Sequence, residues 1–414
     1  MQAFEYIDGE LYCEQVPLSR IAEEAGTPCY VYSSRALLDS YESYDRAFAG
    51  VDHLICFALK SNANLAVVHL MAGQGAGTDI VSRGELFRSL RAGVPGERIV
   101  YSGVGKTEDE VRYALENGIY CFNVESLPEL EMIDRVAGSM DLIAPVSLRI
   151  NPDVESDTHE YTTTGKKENK FGIPYDEALA SYRRAAAYDN LRVIGIDTHI
   201  GSQILRTEPF VAACEKIARL YRELQSVGFE LEFCDIGGGL GISYRDEVPP
   251  TPQQFAEAVL PVIEPLGCKV VVEPGRSISG NAGALLTRVI HYKQTAGKNF
   301  AVVDAGMNDI IRPSLYNAYH RIEPVIRTNG RGEVTIDVVG PICESGDWIA
   351  KDRPMTEIRA GELLCVYDAG AYTATMASNY NSRPRGAEVL VDGDRWRIVR
   401  RAESLEDLIR GEEL

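Results

Sequence analysis

HLICFALK, residues 53–60, is apolar from Leu54 to Leu59 and ends abruptly in a lysine. A segment this short and this uniformly apolar suits a strand buried on both faces, as strands of a parallel sheet are. Seven similar runs follow it at 77–81, 98–102, 119–124, 143–150, 192–199, 231–236 and 269–273. Stretches with helical spacing separate them. Thr107 and Glu110 form a capping-box signal ahead of Val111, Ala114 and Leu115, with Gly118 as the stop, and Ser126 with Glu129 repeats the start signal. Eight strands with a helix after each of the first seven predict a (β/α)₈ barrel over 30–280. An open doubly wound sheet has the same periodicity and stays as the competing architecture.

Beyond 280 the rhythm changes. Glu333 to Val338 alternates polar and apolar residues, the period of a half-exposed strand. Short runs at 284–292, 300–304, 362–367, 387–391 and 395–400 are joined by Gly, Pro, Asn and Asp turns. They predict an antiparallel β domain made of 281–414 together with 1–29, the latter adding a strand from Phe4 to Tyr12.

The 414 residues suit two cores, and a formal net charge of −19 without a basic block argues against nucleic-acid and anionic-membrane partners. Nine scattered cysteines include no CxxC pair and no zinc spacing, which points to a reducing compartment. The acidic start MQAFEYIDGE is unlike a signal peptide and no run is long enough to span a bilayer, so a cytoplasmic protein is expected.

In barrels the reactive groups sit at the C-terminal ends of the strands. Those ends carry Lys60, Ser82, Ser102, Asn123, Arg149, His199, Gly237 to Gly239, and Glu273-Pro-Gly-Arg276. Polar residues follow strands in any protein, which explains one such position better than the whole set. Lys60 at the mouth of a buried strand is a candidate desolvated amine, able to condense with an aldehyde, although a snorkelling surface lysine looks the same in sequence. DIGGGLGI (235–242) offers backbone amides to an anion such as phosphate, or is a flexible connector. In EPGR (273–276) the carboxylate of Glu273 can keep a ring nitrogen protonated while Arg276 grips phosphate or carboxylate; an ordinary Pro-Gly turn is the alternative. His199 is a base, a flat face against a ring, or a structural histidine. A metal site is not expected, since no HExxH or second nearby histidine accompanies it. The β domain adds Arg312 and Tyr316, Cys343 beside Glu344, and Tyr372: cation, phenol, thiol and carboxylate enough for a substrate bearing an amine and a carboxylate.

FALKSNAN (57–64), DIVSRGEL (79–86), ENKFGI (168–173), HIGSQI (199–204), GGGLG (237–241), EPGR (273–276), CESGD (343–347) and SNYNSRPR (378–385) occur in the order of one family. In them the chain resembles the diaminopimelate decarboxylases among the alanine-racemase-like, type III pyridoxal-phosphate enzymes, over nearly its whole length. The resemblance implies pyridoxal 5′-phosphate carried by Lys60, with His199 stacked on its ring and Glu273 at the ring nitrogen. Ser202, Gly238, Gly239, Gly275, Arg276 and Tyr372 would hold the phosphate side. Arg276, Arg312, Tyr316, Glu344 and Tyr372 would contact substrate, and Cys343 would donate the proton. It also implies a homodimer whose sites take the CESGD loop from the neighbouring subunit, converting meso-diaminopimelate to L-lysine and CO₂. A related decarboxylase of ornithine, arginine or carboxynorspermidine, a type III racemase, and a non-catalytic cofactor-binding relative are the rival expectations.

Overall fold

The computed structural model describes residues 3–155, 170–295 and 297–414, so Glu168 and Asn169 of ENKFGI lie outside the described residues. The chain divides into two compact units, one of Ser40–Ile242 with Val248–Ser277 and one of Met1–Asp39, Ser243–Glu247 and Ile278–Leu414.

In the first unit all eight predicted strands form. They are His53–Ala58, Gly77–Ile80, Ile99–Tyr101, Cys121–Val124, Ala144–Asn151, Leu191–Asp197, Phe233–Asp235 and Lys269–Val272. Each pairs in parallel with the next, and Lys269–Val272 pairs back onto His53–Ala58 with Val270 opposite His53. The sheet is therefore a closed barrel and the open-sheet alternative falls. Its interior is a packed core: Leu54, Cys56, Val100, Cys121, Ile194, Phe233 and Val271 cluster inside. Gly195 is required there, because a Cβ would lie 2.3 Å from the Phe233 ring.

The helices begin where the caps predict. Thr107 and Glu110 make a reciprocal box on the helix Glu108–Glu116. Ser126 caps Leu127–Ser139, but the Glu129 carboxylate does not complete the box. It accepts instead from the Glu125 N–H at 3.0 Å and from Lys106 Nζ at 2.7 Å. A lysine with no exposed side-chain surface needs a counter-charge, and Glu129 is the one within reach.

The second unit has as its main sheet Trp348–Thr356, Glu333–Val339, Lys298–Val303, Gly283–Thr295, Cys29–Ser33, Ala387–Asp392 and Arg395–Arg400, in that order. Most pairings are antiparallel as expected. Two are parallel: Lys298–Val303 with Glu333–Val339, and Cys29–Ser33 with Ala387–Asp392. Both join segments far apart in the chain, where no tight hairpin dictates direction. The expected strand from Phe4 to Tyr12 is a correction. Asp8 and Gly9, both at positive φ, fold it into a hairpin of Phe4–Ile7 with Glu10–Cys13, in a small sheet completed by Val16–Pro17. The N-terminal strand that enters the main sheet is Cys29–Ser33. Among the described residues no helix is long and apolar enough to cross a membrane.

Candidate active site

Within the barrel unit the strand ends gather one polar constellation. Lys60 stands just past His53–Ala58, and its Nζ lies 2.6 Å from Oδ2 of Asp79 on the adjacent strand. The Lys60 side chain is 36% exposed and paired with a fully buried carboxylate, which holds the amine in place and stands within hydrogen-bond reach of it.

Glu273 and Arg276 are both buried, which rules out a surface Pro-Gly turn. Glu273 Oε1 is 3.5 Å from Ser102 Oγ and from Asn123 Nδ2. The carboxylates of Asp197, Asp235 and Glu273 lie within 4.8 Å of one another. Burial comes first in pushing all three up; repulsion from Asp235 adds to it at Asp197 and Glu273, and repulsion from Asp79 adds to it at Asp235, which reaches about 6, while Glu273 rises well above the usual carboxylate range. Such a group retains protons at neutral pH. Asp235 is also a strut: Oδ1 accepts the Gly237 N–H at 2.9 Å and Oδ2 the Asn123 amide at 3.3 Å.

His199 is desolvated, and Arg149 and Lys60 nearby add to burial in driving its pKa well below the ordinary value. Its Nδ1 accepts the Gly238 N–H at 3.2 Å, which leaves the proton on Nε2 of a neutral ring. The Gly238 N–H thus serves the imidazole. The glycine-rich turn is sterically enforced as well. A Cβ at Gly238 would meet the Glu273 carbonyl at 1.9 Å, and one at Gly239 the Gly201 carbonyl at 2.2 Å. Ser202 accepts from Arg276 Nη2 at 3.3 Å, so a cation and a hydroxyl stand together beside that turn. Gly275 lets the EPGR turn close on Ser61, whose Cβ would be 3.1 Å from an added one.

Arg149, one of the strand-end candidates, is buried and forms a 2.7 Å ion pair with the buried Glu125, which the sequence did not mark. Glu125 also accepts the Gly103 and Gly172 N–H groups, and Arg149 reaches the His199 carbonyl at 3.4 Å. Asp79, Asp197 and Asp235 were missed too, although a charged residue inside an apolar strand was the available signal.

In the second unit Arg312 is buried, with its guanidinium 5.0 Å from the Tyr244 ring centre and 5.9 Å from that of Tyr316. Its Nε donates to His320 Nε2 at 3.3 Å. Cys343 and Glu344 are exposed on the loop between the strands Glu333–Val339 and Trp348–Thr356. Asp347 ties that loop down by accepting the Ile342 and Met307 N–H groups, both at 2.6 Å. Tyr372 is half-buried at positive φ.

An amine beside a proton acceptor, a proton-rich buried acid, a neutral imidazole and a cation with a hydroxyl at a glycine turn suit four parts of one molecule: an aldehyde, a ring nitrogen, a ring face and a phosphate. That is the donor set of a pyridoxal-phosphate site on a barrel. Residues 35–280 match the family described as pyridoxal-dependent decarboxylase, pyridoxal binding domain, and the chain belongs to that family. It is 52% identical over 414 residues, covering all of this chain and 99% of the relative, to a diaminopimelate decarboxylase of Pseudomonas aeruginosa. The diaminopimelate decarboxylase of Helicobacter pylori, solved with L-lysine, superposes with a TM-score of 0.92 at 41% identity, over 95% of this chain and 98% of that one. That of M. jannaschii, also solved with L-lysine, gives 0.95 at 35% identity, over 100% and 98%.

Proposed function

We propose that this chain decarboxylates meso-2,6-diaminopimelate to L-lysine and CO₂, the last step of lysine synthesis by the diaminopimelate route. The observation that carries the reading is the assembly of Lys60, Asp79, His199, Glu273 and Arg276 at one mouth of a closed barrel, in a chain half-identical to diaminopimelate decarboxylases from end to end.

Pyridoxal phosphate, when bound, supplies an aldehyde for an amine and a ring that accepts the electron pair left when a carboxylate departs. Lys60 would hold it, with Ser202, Gly239, Gly275, Arg276 and Tyr372 at the phosphate and His199 against the ring. Asp79 takes up and returns the proton of the Lys60 nitrogen. Glu273, raised by burial and by its acidic neighbours, holds a proton at the ring nitrogen. Cys343 gives one proton to the carbon that lost CO₂. The far end of the substrate carries an ammonium and a carboxylate, which Glu344 and the pair Arg312 and Tyr316 suit respectively. A substrate ending in an amine alone leaves the cation unpaired, at about 1–3 kcal/mol per buried group. That difference favours diaminopimelate over ornithine or arginine. The working form is a cytoplasmic homodimer in which the Cys343 loop serves the neighbouring subunit's site. CO₂ release from a panel of meso-diaminopimelate, ornithine, arginine and carboxynorspermidine tests the reading; release from ornithine and none from diaminopimelate overturns it.

A further inference from the structure

SNYNSRPR (378–385) has no part in the chemistry described so far. One of its central residues is nevertheless bound to the Cys343 loop. Asn381 adopts a left-handed backbone, φ 56 and ψ 28, inside the turn Tyr380–Ser382. From there its Oδ1 accepts the backbone N–H of Cys343 at 2.8 Å. The Glu344 carboxylate nearby raises the pKa of the exposed Tyr380 phenol. The turn is itself anchored at both ends. The Ser378 N–H donates to the Asn308 carbonyl at 2.9 Å, and Arg383 Nη2 donates to the Asp304 carbonyl at 3.3 Å. The Arg383 charge also acts on Asp347, whose carboxylate fastens the Cys343 loop to Met307. A turn anchored at both ends thus holds the exposed loop at the Cys343 backbone N–H.

We propose that the Ser378–Arg383 turn is the positioning element for the Cys343 loop, with Asn381 setting where the thiol is presented. The proposal rests on the role given above to Cys343. It assigns Asn381 to proton return and not to substrate recognition. A stem that merely stabilised the loop would affect both alike.

The test uses the cofactor-loaded full-length enzyme. Asn381→Gly keeps the left-handed backbone and removes the acceptor, whereas Asn381→Asp keeps both. Hydrogen exchange at the Cys343 amide should speed up in Asn381→Gly and stay near wild type in Asn381→Asp. With meso-diaminopimelate, kcat should fall about 3–10-fold in the glycine variant at nearly constant KM and be restored by aspartate. A glycine variant indistinguishable from wild type in exchange or in kcat overturns the assignment of Asn381, as does an aspartate variant no better than glycine. Full turnover in Cys343→Ala, alongside a slow Asn381→Gly, would instead sink the role of the thiol itself.

Discussion

Asp235→Asn separates what the buried acid cluster costs the fold from what it gives the site. Burial, with the charge of Asp79, carries the Asp235 carboxyl from 3.8 to about 6. Because the folded value lies above the unfolded one, folding is unpenalised below pH 3.8 and loses stability as the pH rises through about 6. At 1.36 kcal/mol per unit the full penalty is about 3 kcal/mol, and about 1 kcal/mol if Asp197 and Glu273 take up the shared proton in its place. Asparagine keeps an acceptor for the Gly237 N–H and carries no charge. Thermal melts of the apo-protein should show the variant about 2–12 °C more stable at pH 8, using about 2–4 °C per kcal/mol for a unit of this size. About half of that gain should be gone by pH 5. The same change relieves Glu273 of the nearest repulsion that raises it, so cofactor binding should weaken while stability increases. A variant equally destabilised at pH 8 and pH 5 would show that Asp235 is an ionised strut, and would refute the proton-sharing argument.

Cys343→Ala should retain bound cofactor, seen in its absorbance, and lose turnover by about 10²-fold or more; unchanged turnover removes the thiol from the mechanism. Glu344→Gln should raise KM for meso-diaminopimelate about tenfold with a smaller effect on kcat, read from initial rates. Arg149→Met strands the buried Glu125 charge and should cost about 3–5 kcal/mol in urea unfolding. The double variant with Glu125→Leu should recover little, because the Gly103 and Gly172 N–H groups then lose their acceptor.

Apolar runs ending in polar residues made the barrel legible, since each of its predicted strands formed within two residues of its expected bounds. Closure was not legible, because periodicity is the same in an open sheet. The strand Trp348–Thr356 went unpredicted: Pro354 and the charged Lys351, Asp352 and Arg353 disguise it, and such residues are tolerated because it lies at the sheet's edge. The turn dipeptide Asp8-Gly9 was visible and should have split the segment from Phe4 to Tyr12. At the site, Lys60, His199, Glu273 and Arg276 could be read because each stands at a strand end. The network beneath them could not, since Asn123 meets Asp235 across 112 residues of chain and only the closed barrel makes them neighbours.

The most direct test is borohydride reduction of the cofactor-loaded enzyme, followed by digestion and peptide mass spectrometry. One pyridoxyl group should be fixed on Lys60, and Lys60→Ala should take up none and lose the absorbance near the visible edge. A label on Lys106 or another lysine, or full labelling of the alanine variant, would contradict the account.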